Sequence, residues 1–471
     1  MRRITCAGVL WMSIMIAVVG LSDQMLPGSE VVFAAPREAV KIQSEVRVKT
    51  ATGSAITDKG NADTEVTIPQ EETDPEYSGR ILLKEKDINL QQGDTYQLET
   101  SLTKENLSGK SLQFQSSNKK IVTVSKDGNI KGIHYGAALV TVTLGTACAV
   151  CSVTVSKDIT ITVSAAGDCT LSSDIKQYAD RSFFAVYNKQ KKEEYFFEKV
   201  KPIFEKDDMT LVNFEGTLSS RGSRVDKQWA FRGKPSYINI LTKGSIEAVA
   251  FANNHVKDYG EVSYTDTIKS FEKAKLAYSS YTQVGIYETK GIKIGMISIQ
   301  EVGRSDAAKT LRSALKTMKK KKPDLLIVSF HWGIERTSKI TASQKALSRI
   351  AIDEGSADLV LGHHPHVLQP IEKYKDTYIV YSLGNFCFGG NTNPPDKDTM
   401  IYQQTFSFHN DQLVADDNIK IIPCSVSSVS DKNDYQPTPS TGEEKIRILK
   451  KINSYCKEFG LKFNRYGNLI K

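Results

Sequence analysis

Ala357-Asp-Leu-Val-Leu-Gly-His363-His364-Pro365-His366-Val-Leu-Gln369-Pro370 is the stretch on which the reading of this chain turns. Leu359, Val360 and Leu361 form a short apolar run, the mark of a strand buried on both faces. Gly362 lets the backbone turn, and three of the chain's seven histidines follow within four positions. Pro365 has no amide hydrogen and biases the residue before it, His364, toward an extended conformation. Alternate residues of an extended segment point the same way. The expectation is that His364 and His366 aim their imidazoles at one point while His363 faces away. Two same-side imidazoles at a strand end suit a divalent cation.

Outward from that stretch, apolar runs recur at 159–166, 210–214, 248–252, 292–299, 325–330 and 378–381. Helical patterns lie between several of them, which predicts an α/β domain. One helix spans Thr341 to Glu354, opened by a capping box at Thr341-x-x-Gln344 and stopped by Gly355. Another covers about 308–320, with Leu311, Leu315 and Met318 on one face and lysines on the other.

The strand ends carry the information. They read Gly167-Asp168, Glu215-Gly216, Asn253-Asn254-His255, His331-Trp332-Gly333, the histidine cluster, and Ser382-Leu-Gly-Asn385-Phe386. Alone, His331 reads as a core histidine and Asp168 as a turn residue. Together, polar groups able to bind metal stand at the carboxyl ends of strands, the edge where open α/β sheets build sites.

Composition sets the frame. The chain has 471 residues, 25% charged and 40% hydrophobic, an ordinary globular balance with room for several domains. A net charge of +8 tolerates acidic partners. The basic runs Lys189-Gln-Lys-Lys192 and Lys319–Lys322 read as solvated helix faces, and no nucleic-acid motif is present.

Arg2 and Arg3 precede an apolar stretch from Ala7 to Leu21, and Val32-Phe33-Ala34 before Ala35 offers a small-residue cleavage site. Residues 1–34 read as a signal peptide or an N-terminal anchor, so the protein is expected to be exported, at the extracellular surface or membrane-anchored facing outside. Residues 35–80 are poor in aromatics and rich in Thr, Glu and Asp, a flexible linker. Residues 81–157 switch to short alternating strands with turns such as Asp127-Gly128, an all-β module. Within it, Cys148-x-x-Cys151 falls on an alternating strand and reads as packing, and His134 as a half-exposed strand residue. Residues 158–471 make up the α/β domain.

Two resemblances follow. The run Ser116-Ser117-Asn118 through Asp127-Gly128-Asn-Ile-Lys-Gly132, followed by Gly136-Ala-Ala-Leu-Val-Thr-Val, resembles the bacterial immunoglobulin-like domains of surface proteins. A second set of motifs is Gly167-Asp168, Asn213-x-Glu215-Gly216, Ala252-Asn-Asn-His255 with Asp258 and Gly260, His331-Trp-Gly-x-Glu335, His364-Pro-His366-x-x-Gln369 and Ser382-Leu-Gly-Asn-Phe386. In that order they resemble the CapA family of capsule and poly-γ-glutamate biosynthesis proteins, which have a calcineurin-like metallophosphoesterase fold. Gln436-Pro-x-Pro and an amphipathic helix over about 443–458 also fit.

The resemblance implies an α/β (α+β) metallophosphoesterase-like two-sheet core flanked by helices. It implies one or two divalent metal ions, with manganese, zinc, iron and calcium all open. Asp168 would bind one ion and Glu215 would bridge, with Asn254, His331, His364 and His366 completing the set. His255 would be the catalytic acid or base, and Gln369 and Asn385 would support the ligands or touch substrate. Glu335 stands between ligand and helix cap, and Cys169, beside Asp168, could in principle be a soft ligand but is not counted in the set.

Two departures matter. Metallophosphoesterases usually open with Asp-x-His, whereas Asp168 is followed here by Cys169 and Thr170, and Glu215 replaces the usual Asp. CapA-like sequences share both features. Two functions stay open: a metal-dependent hydrolase-type site in capsule or poly-γ-glutamate biosynthesis, and a non-catalytic polymer-binding assembly subunit of a membrane capsule-synthesis complex. An anionic polymer such as poly-γ-glutamate is the implied partner of both. The immunoglobulin-like module alone would suit an adhesin.

Overall fold

Parity organises the strands that follow residue 158. Ile161, Val163 and Ala165 turn one way and pack with Ile294, Met296, Ile327, Leu359, Leu361 and Val380, whereas Ala166, Val212 and Val249 turn the other way. Strands with apolar residues at both parities are strands covered on both faces. The computed structural model describes residues 77, 79–106, 109–177 and 179–470. The segment read as signal peptide or anchor lies outside the described residues, as does nearly all of the 35–80 linker. No helix among the described residues is long and apolar enough to cross a membrane.

Two mixed sheets face each other in this α/β unit. The first runs in the order Ala277–Ser279, Ala248–Ala250, Met209–Phe214, Asp158–Thr170, Asp398–His409, Gln412–Ser425, Thr438–Pro439, with Asn385–Phe388 pairing on Asp158–Thr170. Its first four strands are parallel to one another. The second runs Gly285–Thr289, Ile292–Gln300, Leu325–His331, Leu359–His363, Thr377–Val380, Ile371–Tyr374, with its four central strands parallel. Both therefore present several carboxyl ends at one edge.

Helices cover the outer faces. Phe183, Phe196, Phe197, Ile240, Leu241 and Phe271 pack on the outer side of the first sheet. Leu311, Leu315 and Met318 of the Ala307–Lys321 helix, with Leu347 and Ala351, cover the second. The result is the expected two-sheet core flanked by helices. The capping box at Thr341 forms with both hydrogen bonds present. That helix, Ala342–Arg349, loosens into a π turn over Ile350–Glu354 before Gly355. The C-terminal helix Gly442–Cys456 buries Ile448, Leu449 and Ile452.

The N-terminal described part is all-β. It has a four-stranded sheet ordered Asp87–Gln91, Ala147–Ser156, Gly136–Leu144, Gln113–Ser116, and a three-stranded sheet of Thr95–Gln97, Asn129–Gly132 and Val122–Val124. Val140, Val142 and Leu144 are buried at alternate positions, and so are Cys151, Val153 and Val155. Cys151 carries a free thiol, in line with a packing role. His134 departs from expectation: it is exposed in a bend outside any strand.

Candidate metal centre

Asp168 reaches the space between the sheets because of one irregularity. Strict alternation after Val163 and Ala165 would point residue 167 inward and Asp168 out to the helices. The register with Met209–Phe214 shifts between Ala166 and Asp168, a bulge that reverses the parity. Gly167 permits it, since a Cβ there would stand 1.9 Å from the Gly384 carbonyl oxygen, whose acceptor is taken by the Asp168 N–H at 3.0 Å. The same reversal sends Cys169 outward into the helix-covered cluster, where burial pushes its thiol up. Cys169 is not a donor to the site.

Asp168 is fully buried and gathers several polar groups. Oδ1 accepts from Asn213 Nδ2 at 2.8 Å and lies 3.5 Å from His363 Nδ1. Oδ2 accepts from the His364 N–H at 3.3 Å and lies 3.2 Å from His366 Nδ1. Asn213 also reaches His331 Nδ1 at 3.3 Å and accepts from Asn253 Nδ2 at 3.3 Å. The signal for Asn213 was a polar residue inside the apolar run of a wholly buried strand.

The histidine turn differs from its expected shape. The strand Leu359–His363 ends on His363, so that side chain shares the inward parity of Leu359 and Leu361 and faces Asp168 rather than away. His364 is not extended. Its φ is 94° and that of His366 is 59°, so the chain folds back around Pro365. Pro365 disfavours the right-handed helical region for the residue before it and leaves this alternative open. His364 and His366 still converge, with ring centroids 5.6 Å apart, and His364 lies 4.8 Å from His331.

Glu215 follows the strand Met209–Phe214 and is completely buried, yet neither of its carboxylate oxygens has a hydrogen-bond partner. Around its Oε1 stand His255 Nε2 at 3.6 Å, His331 Nε2 at 3.8 Å and His366 Nε2 at 4.0 Å. These separations exceed hydrogen-bond length. They approach the roughly 3–3.5 Å between two ligand atoms that each sit about 2.1 Å from one ion. Asn254 Oδ1, His331 Nε2, His364 Nδ1 and both ring nitrogens of His363 are likewise buried without partners. Buried polar atoms are normally paired, so this donor set fits a divalent cation. Two groups bring their donor atoms within 4.8 Å of one another: Asp168 with Glu215 and His366, and Glu335 with His364 and His366. His331 and Asn254 belong to neither. Glu335 sits exposed in a turn and caps no helix, because Thr341 is the N-cap.

The remaining expected residues have defined partners. His255 Nδ1 lies 2.7 Å from Asp258 Oδ2, and Lys227 Nζ bridges Asp258 Oδ1 at 2.7 Å and the Asn254 carbonyl at 2.9 Å. Lys227 comes from a loop with no local sequence signal. Asn385 Oδ1 takes His366 Nδ1 at 2.8 Å, which orients that ring. Gln369 spends its whole amide elsewhere, donating to the Thr337 and Lys339 carbonyls at 3.0 and 3.1 Å and accepting from Gln344 at 2.8 Å. It braces the loop that carries Glu335 and touches neither ligand nor open space.

Electrostatics show the strain of this arrangement. Burial drives Glu215 well above the usual carboxylate range, and the charge of Asp168 adds to it. Burial also works to raise Asp168, but the adjacent imidazoles of His363 and His366 hold it well below. Burial pushes His364 down to about 3, helped by the charge on His366. Burial likewise lowers His331 and His255. His366 is opposed by burial yet raised to about 9 by Glu215 and Asp168. His331, His364 and His255 are thereby held neutral, the form in which an imidazole binds a cation, while His366 keeps its proton on account of the two carboxyls until an ion displaces it.

Residues 162–390 match the family described as bacterial capsule synthesis protein PGA_cap, and residues 80–155 match the bacterial Ig-like domain (group 2). The chain is similar to the capsule biosynthesis protein CapA of Bacillus anthracis, 28% identical over 255 residues, which is 48% of this chain and 60% of that protein. It is also similar to the PGA biosynthesis protein CapA of Bacillus subtilis (strain 168), 32% identical over 221 residues, 42% of this chain and 58% of that protein. The chain thus spans about three fifths of the length of those relatives. Among solved structures, the calcineurin-like phosphoesterase YfkN from Bacillus subtilis is similar at 15% identity, covering 59% of this chain and 94% of that one, with a TM-score of 0.36.

Proposed function

We propose that this protein takes part in capsule or poly-γ-glutamate biosynthesis at the cell surface, through a divalent-metal-dependent hydrolase-type site in the domain spanning 158–471. The observation that carries the reading is Glu215, a buried carboxylate with both oxygens unpartnered and three imidazole nitrogens around one of them. The names of the relatives support the polymer. Asp168, Glu215 and His366 would hold the ion, with His364, His331, Asn254 and Glu335 as further donors. A bound divalent ion would supply Lewis acidity toward a phosphoryl or acyl oxygen and lower the pKa of water.

The chain's own residues do the rest. Asp258 accepts the Nδ1 proton of His255, so the Nε2 of that ring faces Glu215 and the site, where it can take up or release a proton. Lys227 neutralises Asp258 and ties it to the Asn254 backbone. Asn385 and Asp168 fix the His366 ring, leaving its Nε2 toward Glu215.

The test is metal analysis of purified protein together with a hydrolase screen on phosphoesters and γ-glutamyl oligomers. Retained divalent metal that is lost in Glu215→Gln, with turnover lost in His255→Ala, is the expected result. Metal-free protein, indifferent to added manganese or zinc, overturns it. One observation favours the non-catalytic assembly reading. Lys316 and Lys319 on the second sheet's outer helix and Lys322 just past its end form no ion pair among the described residues, a positive face suited to an acidic polymer. In that case His255→Ala leaves capsule formation intact.

A further inference from the structure

The ligand cluster opens into a slot whose chemistry the metal does not account for. His255 and His366 form its floor, and its walls are Trp229, Phe231 and Phe388. Phe231 and Phe388 are nearly buried and meet edge to face at 6.3 Å, while Trp229 is 40% exposed at the mouth. The cavity measures about 110 Å³. That is well below the roughly 300 Å³ of a drug-sized site, so it takes one small unit rather than a passing chain.

Besides the two histidines, one basic and two acidic residues line this slot: Arg336, Glu335 and Asp396. Asp396 is neutralised by Lys451 at 2.7 Å. Glu335 has a carboxylate oxygen within 4.8 Å of ring nitrogens of His364 and His366 and counts with the cation donors. Arg336 is exposed, and its guanidinium has no partner among the described residues. Its backbone is fixed all the same. Its φ is 60° and its N–H donates to the Pro365 carbonyl at 2.8 Å, which pins the arginine to the histidine turn. The neighbouring segment is held by Gln369. An unpaired guanidinium held on a rigid rim, beside an apolar slot of one-unit size, is a fork for a carboxylate.

We propose that Arg336 is the specificity residue of this site. It grips the carboxylate of the terminal unit of an acidic polymer, whose methylene carbons pack between Trp229 and Phe388, so the protein engages chain ends rather than chain middles. The inference rests on the capsule-polymer reading above and names its substrate class.

Trp229 supplies a readout independent of turnover, because Trp332 is fully buried and Trp229 is the exposed tryptophan among the described residues. Full-length protein is titrated with penta-γ-glutamate while tryptophan emission is followed, and Trp229→Phe assigns the signal. A saturable shift is expected, weakened at least tenfold in Arg336→Ala, partly retained in Arg336→Lys, and absent when the per-methyl ester of the same peptide is the probe. A blocked or internal carboxylate presented in a cyclic γ-glutamyl peptide is expected to bind at least tenfold more weakly than the linear one. Equal titration of wild type and Arg336→Ala, equal binding of the ester, or a response to phenyl phosphate alone overturns the proposal. The two readings fail separately. Protein that binds the peptide through Arg336 but holds no metal sinks the hydrolase reading and leaves this one. Metal-loaded, active protein whose peptide binding ignores Arg336 does the reverse.

Discussion

His255 and Asp258 are joined at 2.7 Å between Nδ1 and Oδ2, the shortest contact of that nitrogen, and it leaves Nε2 facing Glu215. Asp258→Asn keeps the shape but can present an N–H where the ring needs an acceptor. Turnover is expected to fall roughly 10–100-fold, as for other orienting partners, with metal content unchanged. Steady-state kinetics beside elemental analysis of the same preparation checks it, and loss of metal in Asp258→Asn would contradict it.

Removing the cation should loosen the fold. An ion present at 100 times its dissociation constant stabilises the folded state by about 2.7 kcal/mol, worth roughly 4 °C in a domain of about 310 residues. Chelation is expected to lower the melting temperature by that much and manganese or zinc to restore it. Glu215→Gln should abolish the response, because it removes the anionic donor that the cation would hold. Differential scanning calorimetry distinguishes these outcomes.

A pH effect is expected away from the site. Burial, reinforced by the charge of Asp207, raises Glu247 from 4.5 to about 7, while its carboxylate accepts from the Thr210 N–H at 2.8 Å. The folded state holds this proton more tightly than the unfolded chain, so the contribution is full below about 4.5 and is lost as pH rises through about 7. Because this side chain is partly exposed, solvent screening limits the effect to roughly 1–2 kcal/mol. Glu247→Gln should flatten the stability profile between those pH values in urea titrations. An unchanged slope would remove Glu247 as its source.

Gly167→Ala tests the bulge. The added methyl would meet the Gly384 carbonyl at 1.9 Å, and backbone on both sides must shift. Overpacking of this kind costs about 1–3 kcal/mol, and the displaced Asp168 should cost about 10–100-fold in metal affinity. Isothermal titration with zinc on the folded variant measures the second effect apart from the first.

Much of this was legible from residue order alone. The capping box at Thr341, the lysine-faced helix over 307–321 and the delivery of Asp168, Glu215, His331 and the histidine cluster to strand ends all follow from local patterns whose period is set by backbone geometry. What escaped was parity. One extra residue at Gly167 reverses every side chain after it, and one more strand residue at His363 turns that imidazole inward. Neither is visible without the neighbouring strand, since a bulge is a property of the pair. Gln369 failed for another reason: an amide declares its partners only in three dimensions, and here the loop over 337–339 claims it. Lys227 and Arg336 come from loops, where side-chain placement depends on distant backbone.

The two sheets divide the donors unequally. Asp168 and Glu215 ride on the first, and His331, His363, His364 and His366 on the second. An ion captured between them would act as a rivet through two plates, so that any parting of the plates separates acids from imidazoles and releases it. Its off-rate would then serve as a gauge of how often the sandwich breathes.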